Sequence, residues 1–418
     1  MSGDLSPDQT LIRLTRWALA LTAAATPLYI VRWHYGPIPT TLLETLVLLT
    51  ILLYVATVVR NRGPLPGRTG LEIPIALFLV AGAIGVLVAP DHRGALGIFR
   101  AYLIEPVAIF YVVVAVIDSA AAIDLVLAAW AVGSVLFCAV DLLYFGRAVV
   151  GHSLVAGHAA AAFNLDSNAV ALYLEPLIGL AAGFVLMGRG RQRWAAIGVL
   201  IVMLAAELAT LSRGGLLALA ALVLIALAGG LPARTRIGLA AAALVAGLVI
   251  WRLPVIGPRI GHALDPRTGT FDVRGQIWAA TARMLRDHPI FGAGVNAYQS
   301  TMTKYIAHNP YLVPEPYPHN IFLTSWTELG LLGLFSFTYI LVALIVQPWR
   351  AFRRAAGVNR PLLWGTAAAF VMVLVHGLVD SPYWKNDLSV EFWILAALEI
   401  VALRGARNDQ RTEPQLSV

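Results

Sequence analysis

Apolar stretches of about 17 to 25 residues recur from one end of the chain to the other, separated mostly by short polar connections. Each is long enough to cross a bilayer as a helix. The length rule predicts about twelve spans, near residues 17–34, 41–59, 71–89, 101–117, 121–145, 168–187, 194–211, 214–230, 237–253, 319–346, 361–379 and 389–403. Two connections break the pattern. One is the Gly/Ala/His-rich stretch 146–167, and the other is a loop of about 65 residues over 254–318, far longer than an ordinary connection. The expected fold is therefore an all-α polytopic membrane protein: spans one to nine over 1–253, the long loop over 254–318, and spans ten to twelve with a tail over 319–418. No convincing internal repeat is visible.

Composition agrees with the pattern. Of 418 residues, 59% are hydrophobic and only 13% charged. The net charge of +7 reads as topology and not as nucleic-acid binding, because Lys and Arg gather in alternate short connections. With both termini in the cytoplasm, Arg60, Arg62 and Arg68, Arg189, Arg191 and Arg193, and Arg350, Arg353 and Arg354 all fall inside. All nine histidines, from His34 to His376, then lie on the outward side, as do both long loops. Arg13 and Arg16 before an apolar run imitate a secretory signal, but the run is read as a retained first span. The single cysteine, Cys138, excludes a disulfide framework and any cysteine-based metal site.

Within the long loop, "DVRGQIWAATARMLRDHP" predicts a helix capped by Asp272 and stopped by Pro289. "FGAGVNAYQS" follows with a Gly-x-Gly turn, which is no nucleotide fingerprint because no strand precedes it. "NPYLVPEPYPHN" then returns the chain, extended, to His319 at the start of span ten.

A few polar residues at membrane edges carry candidate chemistry. Arg213, in "LATLSRGGLLAL", sits between two apolar runs, where a charge costs roughly 2.5–3.5 kcal/mol unless it meets a cavity or partner. It reads as an anion clamp, since guanidinium binds phosphate oxygens as a bidentate fork, or as an arginine that snorkels to the headgroups. Arg274 reads as an ordinary charge in the first turn of the loop helix, and Arg100 as a ligand or a structural partner of nearby Glu105. His319 and Asn320 offer helix capping, or for His319 a base with a reference pKa of about 6.5. Glu328, deeper in the span, orients a neighbour or pairs with an intramembrane arginine. His376 and Asp380 share a helical spacing, a weak metal signal with no His-Glu-x-x-His or carboxylate cluster to join it.

Taken together, "FNLDSNAVALYLEP", "LATLSRGGLLAL", "RGQIWAATARMLRDHPIFGAGVNAY", "YPHNIFLTSWTELGLLGLF" and "HGLVDSPYWKND" resemble the O-antigen ligase family, related to O-antigen and exopolysaccharide polymerases. The resemblance covers roughly residues 150–400, and the His-Asn pair followed by "ELGLLG" is its most specific piece. It implies a GT-C-like glycosyltransferase of the bacterial inner membrane that works without cofactor or metal at the periplasmic face. The donor would be a glycan on undecaprenyl diphosphate and the acceptor a lipid A core sugar, both reached from the lipid bilayer. His319 would activate the acceptor, and Arg213 and Arg274 would engage the diphosphate, with Arg100 a further candidate. Asp166, Asn168, Asn320, Glu328, His376 and Asp380 are candidates for supporting roles.

Three other readings stand beside this one. In a polymerase of the same superfamily the acceptor is a second lipid-linked repeat, and Arg100 would serve its diphosphate. A secondary transporter would need ionisable residues near the midplane and, commonly, repeated halves. A structural scaffold would leave Arg213, His319 and Asp380 unexplained.

Overall fold

The computed structural model describes residues 7–36, 38–61, 63–151, 153, 165–229, 231–252, 270–306 and 312–412. Much of the 146–167 connection and the first part of the long loop, with His152, His158, His262 and His308, lie outside the described residues. The described residues are mostly helical. Seven helices among the described residues are long and apolar enough to cross a membrane. These are α2 (Leu42–Asn61), the His92–Val116 segment, α6 (Ala120–Val150), α7 (Ser167–Met187), α8 (Gly190–Thr210), α13 (Ile321–Ala351) and α14 (Asn359–Gly377). The apolar helices α3 (Glu72–Val88) and α9 (Arg213–Ala228) are shorter. Helices α1 (Pro7–Ala24), α10 (Ala233–Arg252) and α15 (Asn386–Thr412) occupy the other three expected spans. The protein is an all-α polytopic membrane protein.

Two spans differ most from expectation, and proline shapes both. The first span, expected at 17–34, is helical only to Ala24. Pro27 cannot donate an i to i−4 hydrogen bond, so the chain tightens into a 3-10 turn over Thr26–Ile30. It then enters a small antiparallel hairpin, β1 (Arg32–Tyr35) with β2 (Ile38–Thr41), in which Trp33 faces Thr40. The fourth span starts earlier than expected, as α4 (His92–Ile98), and passes through a π turn at Phe99–Ile104 into α5 (Glu105–Val116). Pro106 leaves the Tyr102 carbonyl without its helical donor. The Tyr383 hydroxyl replaces it at 2.7 Å, and Asn386 Nδ2 donates to the Ala101 carbonyl at 3.2 Å.

Helices α7 and α14 are the most enclosed of the spans. They cross closely because Gly179 and Gly183 of α7 lie against the α14 backbone at Ala369 and Gly365, a small-residue contact that dispersion can hold in lipid. Helix α13 packs between α3 and α14, and α15 packs on α5.

The described part of the long loop forms α11 (Thr270–Asp287) and a second, unexpected helix, α12 (Tyr298–Ile306). Asp272 lies two residues inside α11, so the expected cap is not at the helix boundary. Thr281 and Tyr298 join the two helices by a 2.7 Å side-chain hydrogen bond.

The Gly-x-Gly turn between them docks on the membrane helices. Helix α13 breaks at Gly330, whose φ of 67° and ψ of −169° are open essentially to glycine alone. The break exposes backbone that the loop completes: Ala293 N–H donates to the Thr327 carbonyl at 2.7 Å, and Leu331 N–H donates to the Ile290 carbonyl at 2.8 Å. Val295 N–H reaches the Gly85 carbonyl of α3 at 3.1 Å. Glu328 accepts from the Asn296 N–H at 2.5 Å, so it binds the loop's backbone, where an arginine partner had been an option.

A Cβ at Gly330 would overlap the Ile290 carbonyl and impose a left-handed strain of about 1–3 kcal/mol. Gly330→Ala is therefore expected to lower the thermal unfolding midpoint in detergent by several degrees and to expose the loop to protease. An unchanged midpoint and cleavage pattern would show that the loop does not depend on this joint.

Candidate active site

Three helix starts converge on one carboxylate, Asp380, in the turn that follows α14. From the start of α7, the Asn168 side-chain amide donates to Asp380 Oδ2 in a short hydrogen bond. From the start of α13, His319 Nδ1 lies 3.2 Å from Asp380 Oδ1. The third start, that of α9, is linked through Ser212, whose hydroxyl donates to Asn168 Oδ1 at 2.6 Å. Arg274, on α11, closes the group with a guanidinium nitrogen 3.5 Å from Asp380 Oδ2. The Ser381 N–H adds a backbone donor at 2.8 Å to Oδ1.

Each start is capped as its sequence suggests. Asp166 accepts from the Asn168 N–H, Ser212 from the Gly215 N–H, and Asn320 from the Phe322 and Leu323 N–H groups, so all three free ends have a side-chain acceptor. Asn320 also donates through Nδ2 to the Leu378 carbonyl at 2.9 Å, tying α13 to the Asp380 turn. Asp166 and Asn320 thus each cap a helix start. The dipoles of α7, α9 and α13 point their positive ends at the same region, where an anion is stabilised.

His319 has a left-handed φ of 52°. Such a conformation is uncommon outside glycine and persists only where the surroundings fix it. Here Asp380 holds the ring, and the Trp278 indole donates to the preceding Pro318 carbonyl at 2.9 Å. An ionised carboxylate can only accept, so the His319 proton is on Nδ1 and Nε2 keeps its lone pair when the ring is neutral. The nearest acid to Nε2 is Glu315, at 3.9 Å, beyond hydrogen-bond distance.

Electrostatics favour an anion here. Burial alone would raise the Asp380 pKa, but the hydrogen bond and charge of His319, with the charges of His376 and Arg274, hold it well below the usual carboxylate range. Burial lowers the Arg274 pKa; Asp380 opposes this, while the charge of Arg213 adds to it. Two like-charged guanidinium groups thus repel one another across the site, and a bound anion would relieve that repulsion. Arg274 is 9% exposed, a buried cation and not the solvated first-turn residue its spacing suggested.

The remaining candidates have partners of their own. His376 is fully buried and shares a 2.5 Å contact between its Nδ1 and Glu175 Oε1. It lies at the end of α14, and Asp380 just beyond that helix; the two bind different partners, so their spacing does not make a ligand pair. A Cβ at Gly214 would overlap the His376 ring, and one at Gly215 would overlap Glu207, which accounts for the Arg-Gly-Gly start of α9. Among the described residues, no group of three or more His, Cys, Asp or Glu is placed to hold a metal ion. Arg100 bonds Glu105 at 2.6 Å and also pairs with Glu44, so its charge is already met by two carboxylates. Ser212, Trp278 and Glu175 were not singled out from sequence. Ser212 alone carried a readable signal, a serine immediately ahead of an apolar helix.

The polytopic α-helical fold thus brings a His-Asp pair, Arg274 and the starts of three helices together in one place. Residues 198–338, about a third of the chain, match the family model described as O-antigen ligase. The family implies a glycosyltransferase-like enzyme. No curated protein matches the chain. The matched segment contains Arg213, Arg274, His319 and Glu328, whereas Asp166, Asn168, His376 and Asp380 lie outside it.

Because its folded pKa is depressed, Asp380 contributes stability that is present above its unfolded value of about 3.9 and is lost as pH falls further. Wild type is expected to lose unfolding free energy more steeply than Asp380→Asn between about pH 4 and pH 2. Parallel acid-unfolding profiles for the two would show that Asp380 is not held ionised by its partners.

Proposed function

We propose that the protein is an O-antigen ligase that moves a glycan from undecaprenyl diphosphate to a hydroxyl of the lipid A core, at the periplasmic face of the bacterial inner membrane. The observation that carries this reading is the shared carboxylate: Asp380 contacts both His319 and Arg274, joining a base and a phosphate-binding cation in one site. The acceptor oxygen attacks the anomeric carbon while His319 Nε2 takes its proton. The bond from that carbon to the diphosphate oxygen breaks, and its electron pair leaves with the diphosphate. One in-line displacement inverts the anomeric centre.

Arg213, Arg274 and the helix starts balance the charge that develops on the leaving group, a preorganised field that needs no metal. Asp380 orients the imidazole and stabilises the cation formed on proton transfer. Helices α11 and α12, fixed to the membrane helices through the Gly330 joint, shield the site from water that would hydrolyse the donor.

What favours a ligase over a polymerase is Arg100. A polymerase was expected to use it for a second diphosphate, yet Glu44 and Glu105 already neutralise it.

The test is transfer by purified protein, with an undecaprenyl-diphosphate glycan as donor and lipid A core as acceptor. His319→Ala is expected to reduce turnover by about 10²–10⁴-fold. Arg213→Ala and Arg274→Ala should each weaken it by about 10²-fold or more, and Arg100→Gln should leave it within a few-fold of wild type. Elongation of the lipid-linked glycan without core transfer would establish a polymerase instead. Absence of transfer to either acceptor would return the transporter reading.

In the same assay, Trp278→Phe keeps the ring but removes the donor to Pro318. It should lower turnover by about tenfold with little change in donor KM, because it displaces His319 and not the arginines. An unchanged turnover would mean that the indole does not position the base.

A further inference from the structure

A second concentration of arginines lies at the opposite end of α13. Helix α13 runs from Asn320, beside Asp380, to Arg350 near its last turn, a length of about 45 Å at 1.5 Å per residue. There the structure has a cleft of about 600 Å³ whose walls include Arg68, Arg350, Arg354, Arg407, Gln347 and Thr69. No acidic side chain lines it among the described residues. The charge-based topology assigns this end to the cytoplasm.

A basic inner face is what orientation alone requires, but orientation asks only that the arginines be near the membrane. It does not require three separate chain segments to aim them into one recess. Arg68 comes from the connection between α2 and α3, Arg350 and Arg354 from the end of α13 and the turn after it, and Arg407 from α15.

The recess is built and not merely lined. Arg404 of α15 donates to the Arg68 carbonyl at 2.9 Å and to the Val114 carbonyl at 3.3 Å, fixing the 63–71 connection against α5 and α15. Gly67 lets that guanidinium pass, because a Cβ there would stand 3.1 Å from Arg404 Nη2. Glu72, the adjacent carboxylate, is used on the backbone, accepting from the Thr69 N–H at 2.5 Å and the Gly70 N–H at 3.0 Å. The recess is thereby held open with its cations directed inward.

Charge and geometry select the ligand. A guanidinium grips a phosphate through two parallel hydrogen bonds, and four of them match more than one phosphate. One phosphate diester would leave most of the charge unbalanced, whereas two phosphates in a single group bring two or more negative charges. Basic recesses between membrane helices at the cytoplasmic side commonly take lipid headgroups of this kind.

We propose that this cleft binds an anion carrying two phosphate groups, at a site separate from the His319 centre. The two sources of that chemistry are a phospholipid headgroup with two phosphates and a soluble diphosphate.

The test is binding to the full-length protein in uncharged detergent, in an Arg274→Gln background so that the other phosphate-binding region does not contribute. The probes are a diphosphatidylglycerol lipid, a phosphatidylcholine control and inorganic diphosphate. One of the two-phosphate probes should bind, phosphatidylcholine should not, and adding Arg350→Gln with Arg354→Gln should weaken the bound probe by about tenfold or more. Binding of the lipid alone assigns the site to the membrane, and binding of inorganic diphosphate identifies a soluble ligand. Binding by neither, or binding that the added substitutions leave unchanged, overturns the proposal. Should that pair of substitutions prevent folding, Arg68→Gln replaces it, because Arg404 uses the Arg68 carbonyl and not its side chain. The expected weakening is then several-fold, and none would overturn the proposal. Glycan transfer plays no part in the measurement, so its outcome is independent of the ligase reading.

Discussion

A buried carboxylate with no partner is one of the most unfavourable groups a protein can contain, and the arrangement around Asp380 follows from that constraint. The charge is met by Asn168, Arg274, His319 and the Ser381 N–H, drawn from four separate parts of the chain. Removing it would leave Arg274 as an uncompensated buried cation, at a cost of about 3–5 kcal/mol. The same contacts that satisfy Asp380 therefore bring the starts of α7, α9 and α13 together and hold the loop helix over them. Stability and site geometry are two consequences of one ion.

The arrangement also explains why the loop is firmly attached where it meets the membrane helices. A helix broken at Gly330 has backbone groups that lipid cannot satisfy. The Ile290–Asn296 segment satisfies them and is itself satisfied by Glu328 and by Gly85. The attachments at Gly330 and Asp380, with the Trp278 bond to Pro318, fix where Arg274 and Trp278 stand relative to His319. The proposed displacement at a single carbon would require such fixed positions, because reacting groups misplaced by even 1 Å lose much of their advantage.

Much of this was legible in the sequence, for identifiable reasons. Span length and arginine placement depend only on composition along the chain, so the all-α polytopic fold and the exceptional loop could be read directly. Arg213, His319 and Asp380 stood out because polar residues at membrane edges need a purpose. What escaped was pairing. Nothing local tells that Arg100 meets both Glu44 and Glu105, or that Glu328 binds the amide of a residue 32 positions away. The α12 helix was hidden by the glycines before it, and the hairpin after α1 by an apolar run that looked continuous across Pro27.

The convergence of helix starts is the deeper instance of that limit. Each cap is a local signal, and Asp166, Ser212 and Asn320 are ordinary capping residues when taken one at a time. Only their meeting around Asp380 brings them to one place, and that is a tertiary property. The order in which charge is assembled follows from this. The helix dipoles supply a fixed positive field that cannot be titrated, and Arg213 and Arg274 reinforce it. Asp380 then neutralises part of the field on the side of the histidine. Asp380 stands between His319 and Arg274, and in the proposed reaction it would separate the group that takes the proton from the cation that holds the diphosphate.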